Sequence, residues 1–91
     1  MIRDEGRRIF KYQLPIEDCT EIDMPKGAKV LCVQVQNEQP FLWAEVLPES
    51  GLMKLRRFYV IGTGHPMPVL AKRYIGTFQL VNESFIGHVY E

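Results

Sequence analysis

The chain has 91 residues, with 11 Lys plus Arg balancing 11 Asp plus Glu, 46% hydrophobic and 24% charged residues. That length suits one domain and that composition excludes a disordered chain. A net charge of zero removes any global pull toward nucleic acid or membrane, so electrostatic arguments must be local.

The first eight residues, Met-Ile-Arg-Asp-Glu-Gly-Arg-Arg, are charged and hold no apolar segment, which reads against a signal peptide. Residues 1–8 are expected to form a flexible extension and residues 9–91 a single β domain. No window carries apolar residues at i, i+3, i+4 and i+7 over three turns, so helix is not expected. Runs rich in Val, Ile, Phe, Tyr and Thr alternate instead, separated by Pro, Gly and Asn.

Arg8 to Leu14 reads as a first strand, with Phe10, Tyr12 and Leu14 on one face. Thr20 to Met24 is a short second strand closed by Pro25-Lys26-Gly27. Lys29 to Gln36 is the clearest strand; Leu31, Val33 and Val35 are expected inside, and Val30, Cys32, Gln34 and Gln36 on a half-exposed face. A turn over Asn37 to Pro40 leads to Phe41–Leu47, where Leu42, Ala44 and Val46 alternate with Phe41, Trp43 and Glu45. Pro48 to Gly51 is a turn. Met53 to Ile61 follows as the longest strand, with Arg57, Tyr59 and Ile61 opposite Arg56, Phe58 and Val60.

Gly62 to Ala71 is a loop, because Pro66 and Pro68 block both helix and central strand. Arg73 to Val81 and Phe85 to Tyr90 are the last strands, joined by a turn at Asn82-Glu83-Ser84. The expected fold is all-β, with six or seven antiparallel strands in a small sandwich or partly open barrel.

From Ser50 to Asn82 there are five cations, Lys54, Arg56, Arg57, Lys72 and Arg73, and no Asp or Glu. At its centre lies Gly62-Thr63-Gly64-His65-Pro66. Exposed N–H groups of a Gly-rich turn, with cations nearby, can hold an anion. The same string reads first as a tight turn whose glycines take positive φ and whose proline ends it. It lacks the Lys-Ser/Thr pair of a phosphate-binding P-loop and does not open a helix, so nucleotide hydrolysis is rejected.

Arg56 and Arg57 point to opposite faces of one strand, so one of them needs a partner, a ligand or a place at the rim. His65 and His88 could act as an acid–base pair if the fold joined them, but no nucleophile with a base beside it is visible. Enzyme activity is therefore not expected. Cys19 and Cys32 are the only cysteines; two reduced thiols are expected, with a single disulfide left open. They are not spaced with the histidines as a zinc site requires, and no metal or cofactor is expected.

Several strings along the chain carry a resemblance. They are Lys11-Tyr12…Leu14-Pro15, Met24-Pro25-Lys26-Gly27-Ala28, Val33-Gln34-Val35-Gln36-Asn37, Leu42-Trp43-Ala44, Arg57-Phe58, Gly62-Thr63-Gly64-His65-Pro66, Tyr74-Ile75-Gly76-Thr77-Phe78-Gln79 and His88-Val89-Tyr90-Glu91. Together they resemble a family of small proteins of unknown function common in phage and prophage genomes. The resemblance runs from about Ile9 to Glu91. It implies a phage origin and action in the cytoplasm of an infected bacterium, and brings no activity with it.

By analogy with other small phage proteins, the expected function is a non-enzymatic counter-defence protein that sequesters an anionic, nucleotide-type signal. Arg56 or Arg57, Lys72 and Arg73 would neutralise phosphate. Thr63, Gly64 and His65 would hydrogen-bond it, and Trp43 or Tyr74 would stack a base. The alternatives are an inhibitor of a host defence protein, using a sheet face or edge with Trp43 and Phe41, and a phage accessory or structural module. A homo-oligomer is expected on size grounds; no DNA, RNA or membrane partner is.

Overall fold

A computed structural model describes residues 2–91. Seven strands run in the order β1 (Arg8–Gln13), β2 (Cys19–Pro25), β3 (Lys29–Gln36), β4 (Gln39–Val46), β5 (Met53–Gly62), β6 (Tyr74–Leu80) and β7 (Phe85–Tyr90). A single 3-10 turn over Pro48–Ser50 links β4 to β5, closed by Gly51 in the left-handed region. The strands form two antiparallel sheets, a three-stranded one ordered β1-β4-β3 and a four-stranded one ordered β2-β5-β7-β6. No ladder joins the two, so the architecture is an open sandwich.

Period-2 alternation sets most of the core. Leu42, Ala44 and Val46 from β4 face Phe58 and Val60 from β5, with Phe78 and Leu80 from β6 and Val89 from β7. Leu14, Met24, Ala28, Val30 and Val33 join the buried set, and Tyr12 packs against it. Full burial of each large apolar side chain contributes about 1.5–3 kcal/mol.

The β3 strand departs from simple alternation. Its register with β4 slips between Val30 and Cys32, so two residues there oppose one. The bulge reverses the phase: Val30 and Val33 are buried, whereas Leu31 is turned outward. The expected inward set of Leu31, Val33 and Val35 is thus corrected to Val30 and Val33, with Val35 half-buried. A second bulge lies in β6 between Tyr74 and Gly76. There β6 comes against β3 so closely that a Cβ on Gly76 would stand 2.8 Å from Val33 Cγ1.

The β3–β4 turn is shorter than the expected Asn37 to Pro40. Only Asn37 and Glu38 lie in it, both at positive φ (50° and 62°), and Pro40 belongs to β4. Such a two-residue loop matches the twist of a hairpin. Glu38 tolerates that backbone while linking the sheets: its carboxylate accepts hydrogen bonds from the N–H groups of Val81 and Asn82 (3.3 and 2.7 Å).

The loop after β5 folds back over the outer face of the four-stranded sheet. Ala71 is buried there against Tyr59 and Ile61, with Tyr90 alongside. The N–H groups of Lys72 and Arg73 donate to the Glu91 carbonyl, and Glu91 N–H donates to the Arg73 carbonyl. Cys19 and Cys32 lie in different sheets as free thiols.

Candidate functional site

The Gly62–His65 turn closes at the end of β5. Thr63 N–H donates to the Ile86 carbonyl and His65 N–H to the Gly62 carbonyl, with Gly64 at φ +87°. Among the described residues, no group accepts a hydrogen bond from Gly64 N–H. Gly64 therefore shows the left-handed backbone expected of a tight turn together with the open donor that a ligand loop needs, whereas Gly62 stays in β5 without a positive φ.

Beside this turn lies a hollow of about 170 Å³ lined by Ile61, Thr63, Gly64, His65, His88 and Tyr90, with Met67 at its margin. His88 reaches it because it is paired across β7 with Ile61 of β5 and, on its other side, with Thr77 of β6. A chain of short hydrogen bonds runs through its ring. Thr63 Oγ1 lies 2.8 Å from His88 Nε2, His88 Nδ1 lies 3.0 Å from Thr77 Oγ1, and Thr77 Oγ1 lies 2.6 Å from the Tyr74 hydroxyl. The two histidines named from sequence thus line one hollow, and Thr63, Gly64, His65 and Tyr74 belong to one assembly.

Thr77, Ile61, Met67 and Tyr90 were not among the residues expected at the site, and His88 was weighed only as an acid–base partner of His65. The pairing of β7 with β5 and β6 brings the strand residues there, and the loop after β5 brings Met67.

The cations stand differently. Arg56, on the inward face, is held in a two-pronged ion pair: its Nε and Nη2 reach the two Glu91 carboxylate oxygens at 2.6 and 2.8 Å. Its Nη1 also donates to the Ala28 carbonyl. Only 13% of the Arg56 side chain is exposed. Arg73 Nη2 meets the same Glu91 carboxylate at 2.6 Å. Burial pushes the Glu91 carboxyl up, but hydrogen bonds and charge from Arg56 and Arg73 together hold it below the usual carboxylate range.

Arg57, on the outer face, pairs with Glu21 across β2 at 3.2 Å, and that hydrogen bond raises its guanidinium above its ordinary value. A further hollow of about 140 Å³ places Glu17, Asp18 and Phe85 beside Gly62 and His65. The acid-free stretch of sequence is therefore not acid-free in space. Lys72 is exposed, and its side chain makes no ion pair among the described residues.

Trp43 lies elsewhere. Its neighbours Leu42 and Ala44 are buried, so it faces out of the three-stranded sheet, opposite Lys11 of β1. Lys11 Nζ sits 4.5 Å from the centre of the Phe41 ring and 5.6 Å from that of Trp43. The hollow lies on the outer face of the other sheet, so Trp43 and the Gly62–His65 turn are on opposite sides of one chain. A larger open concavity of about 480 Å³ runs along Ile2–Arg8, but one exposed segment bounds it and its Arg7 and Arg8 already pair with Glu5, Glu45 and Asp4.

Among the described residues no helix is long and apolar enough to cross a membrane, and no cluster of His, Cys, Asp and Glu could hold a metal ion. The fold and site define an all-β sandwich carrying a hydroxyl–imidazole hollow on one outer face. The chain belongs to a family described as a domain of unknown function (DUF7352), which matches residues 5–91. That match begins ahead of Ile9 and takes in the residues leading into β1. No curated protein and no solved structure matches the chain.

Proposed function

We propose that this protein binds an anionic small molecule of nucleotide type, seating its phosphate at the Gly62–His65 turn. The observation that carries the reading is the open Gly64 N–H beside the Thr63 hydroxyl and the His65 and His88 imidazoles in one hollow. Oriented N–H and O–H donors hold a tetrahedral oxyanion without a dedicated guanidinium. Arg56 and Arg73 are held by Glu91, and of the four cations expected at the site Lys72 is the one without an ion pair among the described residues.

A hollow of about 170 Å³ holds a phosphate or a similar group. Whole drug-sized ligands need roughly 300–1,000 Å³. The remainder of a nucleotide would therefore lie outside the hollow, against Tyr74 or against a second copy of the chain. In this reading the protein acts in the cytoplasm of a phage-infected bacterium and withholds a signal from host defence.

Thermal unfolding against mono-, di- and cyclic nucleotides tests this. Binding to the folded state alone adds about 2.7 kcal/mol at a hundred times Kd, which raises the midpoint of a small domain by several degrees. One nucleotide class should give that shift, and His65→Ala should remove it without lowering the midpoint of the free protein. A flat panel would discard the reading.

A further inference from the structure

The geometry points to Thr63 as a nucleophile, activated by His88, that takes an acyl group from an activated ester bound in the hollow. This goes beyond ligand binding and does not depend on the ligand being a nucleotide. It uses the same oxyanion-accepting corner for a reaction.

A threonine hydroxyl is a weak nucleophile unless a base takes its proton. His88 Nε2 is 2.8 Å from Thr63 Oγ1, within reach for that transfer. For Nε2 to accept, the ring proton must sit on Nδ1. Thr77 Oγ1, 3.0 Å from Nδ1, is placed to receive that hydrogen bond. The Tyr74 hydroxyl, 2.6 Å further on, fixes Thr77 in turn. Nucleophile, base and orienting group thus stand in the order that acyl transfer requires, with a hydroxyl in the place a carboxylate more often fills.

The backbone supplies the rest. Thr63 sits on a tight turn at a strand end, and the residue after it, Gly64, offers the open N–H. A donor at that position can hold the oxyanion that forms when the neighbouring hydroxyl attacks a carbonyl. Ile61, Met67 and Tyr90 give the hollow an apolar wall, and its volume suits a short acyl chain. Phosphoryl transfer is disfavoured, because Arg56, Arg57 and Arg73 are each held by a carboxylate.

In the step, Thr63 Oγ1 bonds to the carbonyl carbon and its proton passes to His88 Nε2. The carbonyl electrons move to oxygen, where Gly64 N–H holds them. They return as the bond to the leaving oxygen breaks, and His88 gives its proton to that oxygen. The products are an O-acyl-threonine and a free alcohol; nothing is oxidised or reduced. Hydrolysis by water then restores Thr63.

The full chain is incubated with p-nitrophenyl acetate, with p-nitrophenol release followed by absorbance and the acetyl group located by tandem mass spectrometry. Acetyl on Thr63 is expected, at a rate that rises as imidazole loses its proton. Thr63→Ala and His88→Gln should slow it by about tenfold or more. Thr63→Ser should keep the label at position 63, which separates lost chemistry from lost fold. Thr77→Val should shift the pH profile, as expected of a positioning residue. Acetyl found only on exposed Cys19, on lysines or on His65, or a rate unchanged by His88→Gln, would overturn the proposal. A flat nucleotide panel with Thr63 acetylated would sink the binding reading alone.

Discussion

Glu91 is the residue on which two arginines converge. Its carboxylate meets Arg56 at 2.6 Å and Arg73 at 2.6 Å, and the Arg56 side chain is largely buried. Removing the acid leaves a guanidinium with little water around it. Glu91→Gln should therefore cost about 1–3 kcal/mol at neutral pH, measured by urea unfolding. The pH dependence has a definite sign. The folded protein holds the Glu91 carboxyl below its unfolded value, so its stabilisation is present above that unfolded value and is lost as pH falls through the lower, folded one. The parent chain should lose stability at the acid end more steeply than Glu91→Gln. Identical acid limbs for the two proteins would show that the pair contributes nothing.

At the scale of elements, the contact between β3 and β6 holds the two sheets at one side of the sandwich. Gly76 permits it, since a Cβ there would press on Val33 Cγ1 at 2.8 Å. Gly76→Ala should destabilise by about 1–3 kcal/mol. In the double variant with Val33→Ala the two costs should add to less than their sum, because the smaller side chain makes room. Strict additivity in a double-mutant cycle would mean that the sheets adjust elsewhere. The strand limits of β3 and β7 were legible in the sequence, and so was the sorting of β4 and β5 residues into two faces. Leu42, Ala44 and Val46 alternate without a break, so their face follows from local geometry. The face of β3 was legible at Val33 and Val35 but not at Val30 and Leu31, because a bulge leaves no mark in a run where both faces carry apolar residues.

At the scale of the whole molecule, several large apolar side chains stand exposed. Leu52, Met53 and Leu55 at the start of β5 are exposed, Leu55 to 54%, as are Met67, Val69 and Leu70 in the loop that follows it. A small domain buries a modest fraction of its surface, so a second copy can cover such exposed apolar side chains. Light scattering at micromolar concentration should report a dimer or larger species, and Leu55→Lys should shift it toward monomer with an unchanged unfolding midpoint at high dilution. A parent chain that runs as a monomer would count against the oligomer and against any ligand held between copies.

The candidate site shows where sequence reading stops. Thr63, Gly64 and His65 could be named because a Gly-rich turn after a strand is a local signal. An all-β fold with these turns was likewise written into the amino-acid order, since period-2 alternation and turn residues act over a few neighbours. The partners were not. Arg56 finds Glu91 from 35 residues away, Arg57 finds Glu21 from 36, and Thr63 finds His88 from 25. Trp43 is carried to the far side of the sandwich by the same alternation that buries Leu42 and Ala44. Those placements follow from strand order and from how two sheets stack, and both are set by the summed burial of the core rather than by any residue at the site.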